Sequence, residues 1–158
     1  MDLQAVLPLL LPKAIAWAEE EAQRVASLGR VLTERERELA RGVGVAKPEK
    51  VRIDLIETLP LPEDPVLRAA ALQAGLLAPD MVGLTLGHSV LVCKGHETPR
   101  LLTHEFRHVY QYEQAGSIAG FLPGYLQQVV QIGYANTLLR RMPELMSAKI
   151  CEILRYPE

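Results

Sequence analysis

The sequence predicts an α+β domain in which a small mixed β-sheet is followed by a helical C-terminal half. Apolar residues recur at helical spacing in residues 1–46, which indicates helices there. Between residues 51 and 93 they alternate or form short β-rich runs, which indicates strands. Helical spacing returns from residue 99 onward.

The composition of the 158 residues is that of one globular domain. Hydrophobic residues make up 49% and charged residues 23%, and the length is enough to bury a core. We therefore interpret residues 1–158 as a single domain, with a helical part at 1–46 and the sheet and later helices at 47–158. A net charge of -2 argues against a nucleic-acid partner, because proteins that bind nucleic acids usually carry a basic surplus.

Two features of the sequence favour a cytoplasmic protein. Cys93 and Cys151 are expected to be free thiols, since a chain of this size and apolar content does not need a disulfide. The chain opens Met1-Asp2-Leu3-Gln4, without the positive region of a signal peptide, and its first apolar run is too short to span a bilayer. A membrane partner is therefore not expected.

The N-terminal segment combines an apolar run with a helix. Leu3–Leu11 is apolar, contains Pro8 and is closed by Pro12. We interpret this run as an arm docked on the core; the alternative is a segment that docks a partner or lies on a membrane surface. A helix is predicted from Lys13 to Leu28, with Pro12 in its first turn and Gly29 as its C-terminal cap.

A second, shorter helix follows. Thr33 and Glu36 form a capping-box pattern, in which the threonine side chain caps the helix and the glutamate reaches back. Gly42 and Gly44 end this helix. Its run of charged residues is interpreted as a solvated face.

The strands are predicted in the middle of the chain. Val51 to Leu55 alternates apolar and polar residues, and Pro65 to Gly75 then indicates a helix. Two β-rich pieces follow, Leu84–Leu86 and Val90–Cys93. They are either two short strands or one long bent strand with a bulge.

The C-terminal part of the sequence predicts several helices. The first begins at Pro99 and ends near Gln114, before Gly116. Helical segments are predicted at 117–122 and 125–132, with Pro123-Gly124 between them as a kink or a break. A last helix begins near Thr137 or, preferably, at Pro143 and runs toward Leu154.

The helix from Pro99 carries the motif H-E-x-x-H as His104, Glu105 and His108. Two histidines four residues apart lie one turn apart on one helix face, so both imidazoles can reach one metal ion. Zinc hydrolases use this arrangement, with the glutamate as general base for a water molecule on the metal. Leu102, Phe106 and Val109 form the stripe expected to be buried.

A zinc site of this kind needs a third protein ligand and an open position for water. His88 and His96 are candidates, because all four histidines fall in one stretch of the sequence. The longer motif HExxHxxGxxH is absent, since positions 111 and 114 are both glutamine. Glu113 lies about 140° around the helix from His108 and is expected to point elsewhere.

The sequence resembles the gluzincins, the thermolysin-like group of HExxH metallopeptidases, in which a glutamate on a later helix completes the site. The resemblance implies that Glu144 is the third zinc ligand. Glu144 and Ser147 match the E-x-x-S-D pattern of that helix, but Ala148 stands where the aspartate would be. That aspartate normally orients a zinc-bound histidine, so another residue or a backbone carbonyl must do so here.

Over roughly its second half, the chain is also similar to a group of small bacterial gluzincin-like proteins. The similarity lies in the segments Gly83–Gly87, Leu102–Tyr112, Gly133-Tyr134 and Pro143-Glu144. The similarity implies that a peptide binds as an added strand at the sheet edge before the motif helix, on Val90–Cys93 or Leu84–Leu86. It also implies a donor for the developing oxyanion. Tyr134 is the first choice for this donor, and the alternatives are Tyr125, Tyr112 and His88.

The function expected from these features is zinc-dependent hydrolysis of peptide bonds in a peptide or protein substrate. His104, His108 and Glu144 would bind zinc, Glu105 would be the general base and Tyr134 would stabilise the transition state. One alternative is a catalytically silent zincin-like domain that serves as a binding or scaffold module. A second is that the motif is a coincidence on a structural helix.

Overall fold

The computed structural model describes residues 1–134 and residue 137. Within these residues, helices and strands follow one another in the order α1 (Leu3–Leu28), β1 (Arg30–Val31), α2 (Glu34–Gly42), β2 (Arg52–Ile56), α3 (Pro65–Gln73), β3 (Gly83–Leu86), β4 (Ser89–Cys93), α4 (Pro99–Ala115) and α5 (Ile118–Ile132). A short 3-10 helix precedes β2. The predicted α+β class is confirmed. The predicted last helix, with Glu144 and Cys151, lies outside the described residues.

The four strands form one mixed sheet in the order β1-β2-β4-β3. β2 and β4 are parallel, with Ile53 opposite Val90. β3 runs antiparallel to β4, with Thr85 opposite Val90 on its other side. Strand β3 is therefore the edge strand nearest the motif helix in the described part of the chain.

Strands β3 and β4 form a hairpin, so the alternative of one long bent strand was wrong. Its turn contains Gly87, whose φ of 67° lies in the left-handed region. Glycine adopts this conformation without the steric penalty of a side chain. The next residue, His88, begins the return toward β4.

Helix α1 is longer than predicted, because it begins at Leu3 and runs without interruption to Leu28. The side chain of Asp2 caps it by accepting a hydrogen bond from the backbone N–H of Ala5. Pro8 and Pro12 lie inside the helix and are exposed. Each proline removes one helical hydrogen bond, but water can solvate the freed carbonyl, and packing of this first part of α1 against α3 compensates. The apolar run is thus docked, as a helix rather than as an arm.

Helix α5 also continues through a proline where a kink or break was predicted. It runs from Ile118 to Ile132 and contains Pro123. Phe121, Leu122 and Val129 are buried along it. Burial on both sides of the proline holds the two predicted segments in one helix.

Strand β1 was not predicted, so residues 1–46 are not entirely helical. Arg30 pairs with Ile53 and Val31 with Arg52. A strand of two residues is too short to show alternation in the sequence. Gly29 permits the tight passage from α1 into β1, because a Cβ there would lie 2.7 Å from the carbonyl oxygen of Val25.

Helices cover both faces of the sheet. Helices α2 and α4 pack on one face, where Ile53, Val90 and Phe106 are buried together. Helices α1 and α5 pack on the other face, against Leu91 and Leu86. The predicted capping box of α2, between Thr33 and Glu36, is confirmed. Among the described residues, no helix is long and apolar enough to cross a membrane.

Candidate metal centre

Helix α4 holds the H-E-x-x-H motif in a fixed rotation against the sheet. Thr98 caps its first turn by accepting a hydrogen bond from the backbone N–H of Leu101. At its other end, Gly116 takes the left-handed conformation with φ 87°. The predicted stripe is buried, with Phe106 at its centre and 0% exposed. This anchoring sets the directions in which the next residues on the helix point.

The two motif histidines converge on one point. The Nε2 atoms of His104 and His108 are 3.3 Å apart. In tetrahedral zinc sites with Zn–N bonds of 2.0–2.1 Å, two ligand nitrogens lie roughly 3.3–3.4 Å apart. The pair therefore fits a zinc ion placed between the two nitrogens.

Each imidazole also has an environment that suits a metal ligand. The Nδ1 atom of His108 lies 3.0 Å from Oε1 of Gln111, so a proton on Nδ1 can be held there while Nε2 keeps its lone pair. Burial lowers the pKa of His104. It therefore favours the neutral imidazole that a metal requires.

Glu105 lies between the two histidines in sequence and is 4% exposed. The hydroxyl of Thr85 donates to its Oε2 atom at 2.6 Å. Burial raises the pKa of Glu105 to about 7, although the hydrogen bond from Thr85 acts in the opposite direction. A carboxyl group with this pKa can accept and release a proton near neutral pH.

Two cavities meet at Glu105. The first has a volume of about 350 Å³ and polar residues in its walls, among them His104 and Asp80. The second, of about 160 Å³, lies among apolar side chains of α1, α3 and α5, with His108 on its wall. Glu105 and Tyr134 border both cavities. Glu105 and Tyr134 thus lie where the two cavities approach each other.

Tyr134, the first choice for the oxyanion donor, is brought to the same place as the motif. Burial raises the pKa of its phenol, and the nearby charge of Glu105 adds to this effect. The phenol therefore keeps its proton and can donate a hydrogen bond. Tyr112 and Tyr125 both pack against the ring of Phe121 and border the apolar cavity.

The alternative third ligands His88 and His96 are placed elsewhere. His88 Nε2 lies 2.9 Å from Oε2 of Glu113. Glu113 also accepts hydrogen bonds from the backbone N–H groups of Ala46 and Lys47, so it points away from the histidine pair, as predicted. His96 is exposed in the loop after β4.

The described residues do not by themselves form a metal site with three protein ligands. Within residues 1–134, no group of three His, Cys, Asp or Glu side chains is arranged to hold a metal ion. The predicted third ligand, Glu144, lies outside the part of the chain that the structure describes.

The sheet edge beside the motif is β3. Strand β4 lies between β2 and β3 and has partners on both sides, so the interpretation of Val90–Cys93 as the peptide-binding edge was wrong. Leu84–Leu86 belongs to β3. On the side away from β4, this strand has no pairing partner among the described residues.

Three residues of the site were missed in the sequence, namely Thr85, Gly83 and Gln111. Thr85 and Gly83 are two apart on a strand. Their signals were the β-rich composition around them and their place in the segment 83–87 that carries the resemblance, and neither signal assigned them a role. Gln111 follows His108 by three positions, a spacing at which helix side chains meet. Nothing local identified the partner of Thr85 and Gly83, because Glu105 is 20 positions from Thr85 and farther still from Gly83.

Comparisons with protein-family models, with curated proteins and with solved structures find no match for this chain.

Proposed function

We propose that this protein is a zinc-dependent metallopeptidase that hydrolyses peptide bonds with a Glu general base. The observation that carries the proposal is the 3.3 Å separation of the His104 and His108 Nε2 atoms, beside the buried carboxyl group of Glu105. This separation is the one that two nitrogen ligands of a tetrahedral zinc ion require. A hydrogen bond between neutral imidazoles gives the same separation, so the zinc measurement below decides between the two.

The donor set suits zinc and the chemistry that zinc supports. Two imidazoles of α4 supply nitrogen ligands, and Glu144 is proposed to complete the set from the C-terminal segment. A zinc ion in such a site supplies Lewis acidity, which activates water and polarises a carbonyl oxygen at neutral pH.

The protein's own side chains would then carry the proton transfers. Glu105 would accept a proton from the attacking water at Oε1, since Oε2 is engaged by Thr85. It would afterwards deliver that proton to the leaving amine nitrogen. Tyr134, whose phenol stays protonated, would donate a hydrogen bond to the developing oxyanion.

The edge strand β3 would hold the substrate. An extended peptide can pair with Gly83–Leu86 as an additional strand. Glu105 contacts this strand through Thr85, so a peptide paired there would lie beside the general base. The polar cavity at His104 would accommodate the scissile bond.

The first test is the zinc content of the full chain purified without added metal, compared with a Glu144→Ala variant. We expect about one zinc ion per chain in the wild type and a sharp fall in the variant, because two histidines alone hold zinc poorly. A zinc content that falls in His104→Ala but not in Glu144→Ala would move the third ligand to another residue.

The second test is cleavage of a broad peptide library by the zinc-loaded protein. Cleavage that a chelator abolishes and zinc restores would support the proposal. A protein that binds zinc fully but cuts nothing would instead be the catalytically silent binding or scaffold module. A wild-type protein that takes up no zinc, even after incubation with it, would overturn the metal site itself.

A further inference from the structure

Strand β3 does more than form the sheet edge, because two of its side-chain positions face the carboxyl group of Glu105. Gly83 and Thr85 are two residues apart and therefore point to the same face of the strand. Thr85 is 6% exposed and Glu105 is 4% exposed, so the contact between them is shielded from water.

The hydroxyl of Thr85 is directed to the carboxylate. Its Oγ1 atom lies 2.6 Å from Oε2 of Glu105 and 3.2 Å from the backbone carbonyl oxygen of the same residue. A hydroxyl has one proton to donate. The shorter contact, to an acceptor that can carry a charge, is the stronger of the two.

Gly83 leaves the space that the other carboxyl oxygen occupies. A Cβ atom built at Gly83 would lie 2.6 Å from Oε1 and 3.0 Å from the carboxyl carbon of Glu105. Any side chain at this position would therefore displace the carboxyl group. The close approach of the Glu105 side chain is what favours glycine here, since the φ of Gly83 is not in the left-handed region.

We propose that Thr85 and Gly83 are positioning residues that fix the carboxyl group of Glu105 for proton transfer. Thr85 holds Oε2, and Gly83 lets Oε1 lie against the strand. This inference rests on the proposed function, since it assigns these residues to the reaction of Glu105. It adds that β3, as well as helix α4, sets the geometry of the general base.

The activity test compares three variants of the full chain on a peptide that the wild type cleaves. Thr85→Val keeps the shape but loses the hydroxyl, and we expect kcat to fall about tenfold or more at unchanged KM, the scale of one hydrogen bond to a charged group. Thr85→Ser keeps the hydroxyl and should restore most of kcat. Gly83→Ala should lower kcat by a similar or larger factor.

Zinc content and melting temperature of each variant separate positioning from loss of the fold. The matched control is Thr103→Val, because Thr103 is 1% exposed and its hydroxyl donates to the carbonyl oxygen of Pro99. This control should keep kcat within about twofold. Equal losses of kcat in Thr85→Val and Thr85→Ser, or none in either, would overturn the role of the hydroxyl.

A second measurement needs neither metal nor turnover. A double-mutant cycle of Thr85→Val and Glu105→Met, followed by denaturant unfolding of the metal-free protein, measures the coupling of the two side chains. For Thr85→Val with Glu105→Met, we expect a coupling of about tenfold or more in the unfolding equilibrium constant. For Thr103→Val with Glu105→Met, we expect nearly additive effects. Additivity for Thr85 would overturn the proposal. Coupling in a protein that cleaves nothing would confirm the contact and place the failure in the proposed function.

Discussion

Helix α4 carries two glutamates that the protein treats in opposite ways. Glu113 accepts hydrogen bonds from the backbone N–H groups of Ala46 and Lys47 and contacts His88. Burial acts to raise its pKa, but these bonds outweigh burial and lower it. Glu105, two turns earlier, is more deeply buried and receives one side-chain donor, so burial raises its pKa to about 7.

The comparison shows how the number of hydrogen-bond donors to a buried carboxyl group affects the direction of its pKa shift. Three donors hold the charge of Glu113 in place and tie a loop and a turn to the helix. A single side-chain donor engages Oε2 of Glu105, while Oε1 lies against Gly83, a residue that borders both cavities. A general base needs this combination, since its proton affinity must be high enough to take a proton and its free oxygen must reach one.

The largest expected difference between the two glutamates is in turnover. Glu105→Gln should leave zinc bound and lower kcat by about 100-fold to 10,000-fold, because the amide cannot act as a base. Glu113→Gln should keep kcat within a few-fold. Rates on one peptide and zinc content measured side by side make the comparison. Activity retained in Glu105→Gln would remove that residue from the proposed mechanism.

The next largest difference is in stability. Glu113→Ala removes the acceptor of two backbone N–H groups and the partner of His88, and should lower the free energy of unfolding by about 2 kcal/mol. Denaturant unfolding of the metal-free protein measures this change. Zinc uptake of the variant should stay at the wild-type level, since Glu113 points away from the histidine pair. Reduced zinc uptake by a folded variant would show that the two ends of α4 are linked.

Acid should reduce the stability that hydrogen-bonded carboxylates such as Glu113 contribute. The pKa of Glu113 is lowered from the ordinary 4.5 in the folded protein, so the unfolded chain takes up its proton first as the pH falls. The contribution of Glu113 is therefore full above about pH 4.5 and is lost as the pH falls through the folded value. Unfolding curves between pH 6 and 3 should be less acid-sensitive in Glu113→Ala than in the wild type. An Ala replacement of Glu20, which is exposed on α1, is the control.

Glu36 should add to the same acid sensitivity. Burial acts to raise its pKa, but the hydrogen bonds from Arg30 and Thr33 outweigh burial and lower it. The Arg30 contact is part of the connection between β1 and α2. An additional Glu36→Gln replacement in the Glu113→Ala protein should further reduce the loss of unfolding free energy between pH 6 and 3. An unchanged pH dependence of the unfolding free energy would assign the loss of stability in acid to other groups.

The smallest expected effect on stability is that of His88→Ala, which also distinguishes His88 from His104. His88→Ala removes one of the three partners of Glu113 and should cost about 1 kcal/mol of unfolding free energy. Zinc content should not change, whereas His104→Ala should abolish it. Zinc loss in His88→Ala would return His88 to the candidate ligands.

Local features of the fold could be read from the sequence because their causes are local. The capping box of Thr33 and Glu36, the two strands of the hairpin and the ends of α4 each depend on residues within one turn or one strand. The helix start predicted after Pro12 and the alternative of a break at Pro123 were wrong for the opposite reason. Helices α1 and α5 are held through these prolines by packing against distant elements, which no local pattern contains.

The residues of the candidate site likewise fall into those predicted from local spacing and those that depend on distant contacts. The histidine pair and Glu105 follow from spacing on one helix, and Tyr134 was chosen on a resemblance; the structure brings it to the same cavities. Thr85 and Gly83 could not be predicted, because their role depends on how the hairpin lies across the helix. The identity of the third ligand remains a prediction.

The hairpin of β3 and β4 is hydrogen-bonded to α4 through two side-chain pairs. Thr85 holds Glu105, and His88, in the turn, holds Glu113. The two glutamates are eight residues apart, which corresponds to about 12 Å along the helix axis. Two hydrogen-bonded contacts at this distance oppose rotation and sliding of the helix on the hairpin. We therefore expect these two contacts to resist rotation of α4 against the hairpin beside the cavities that Glu105 borders.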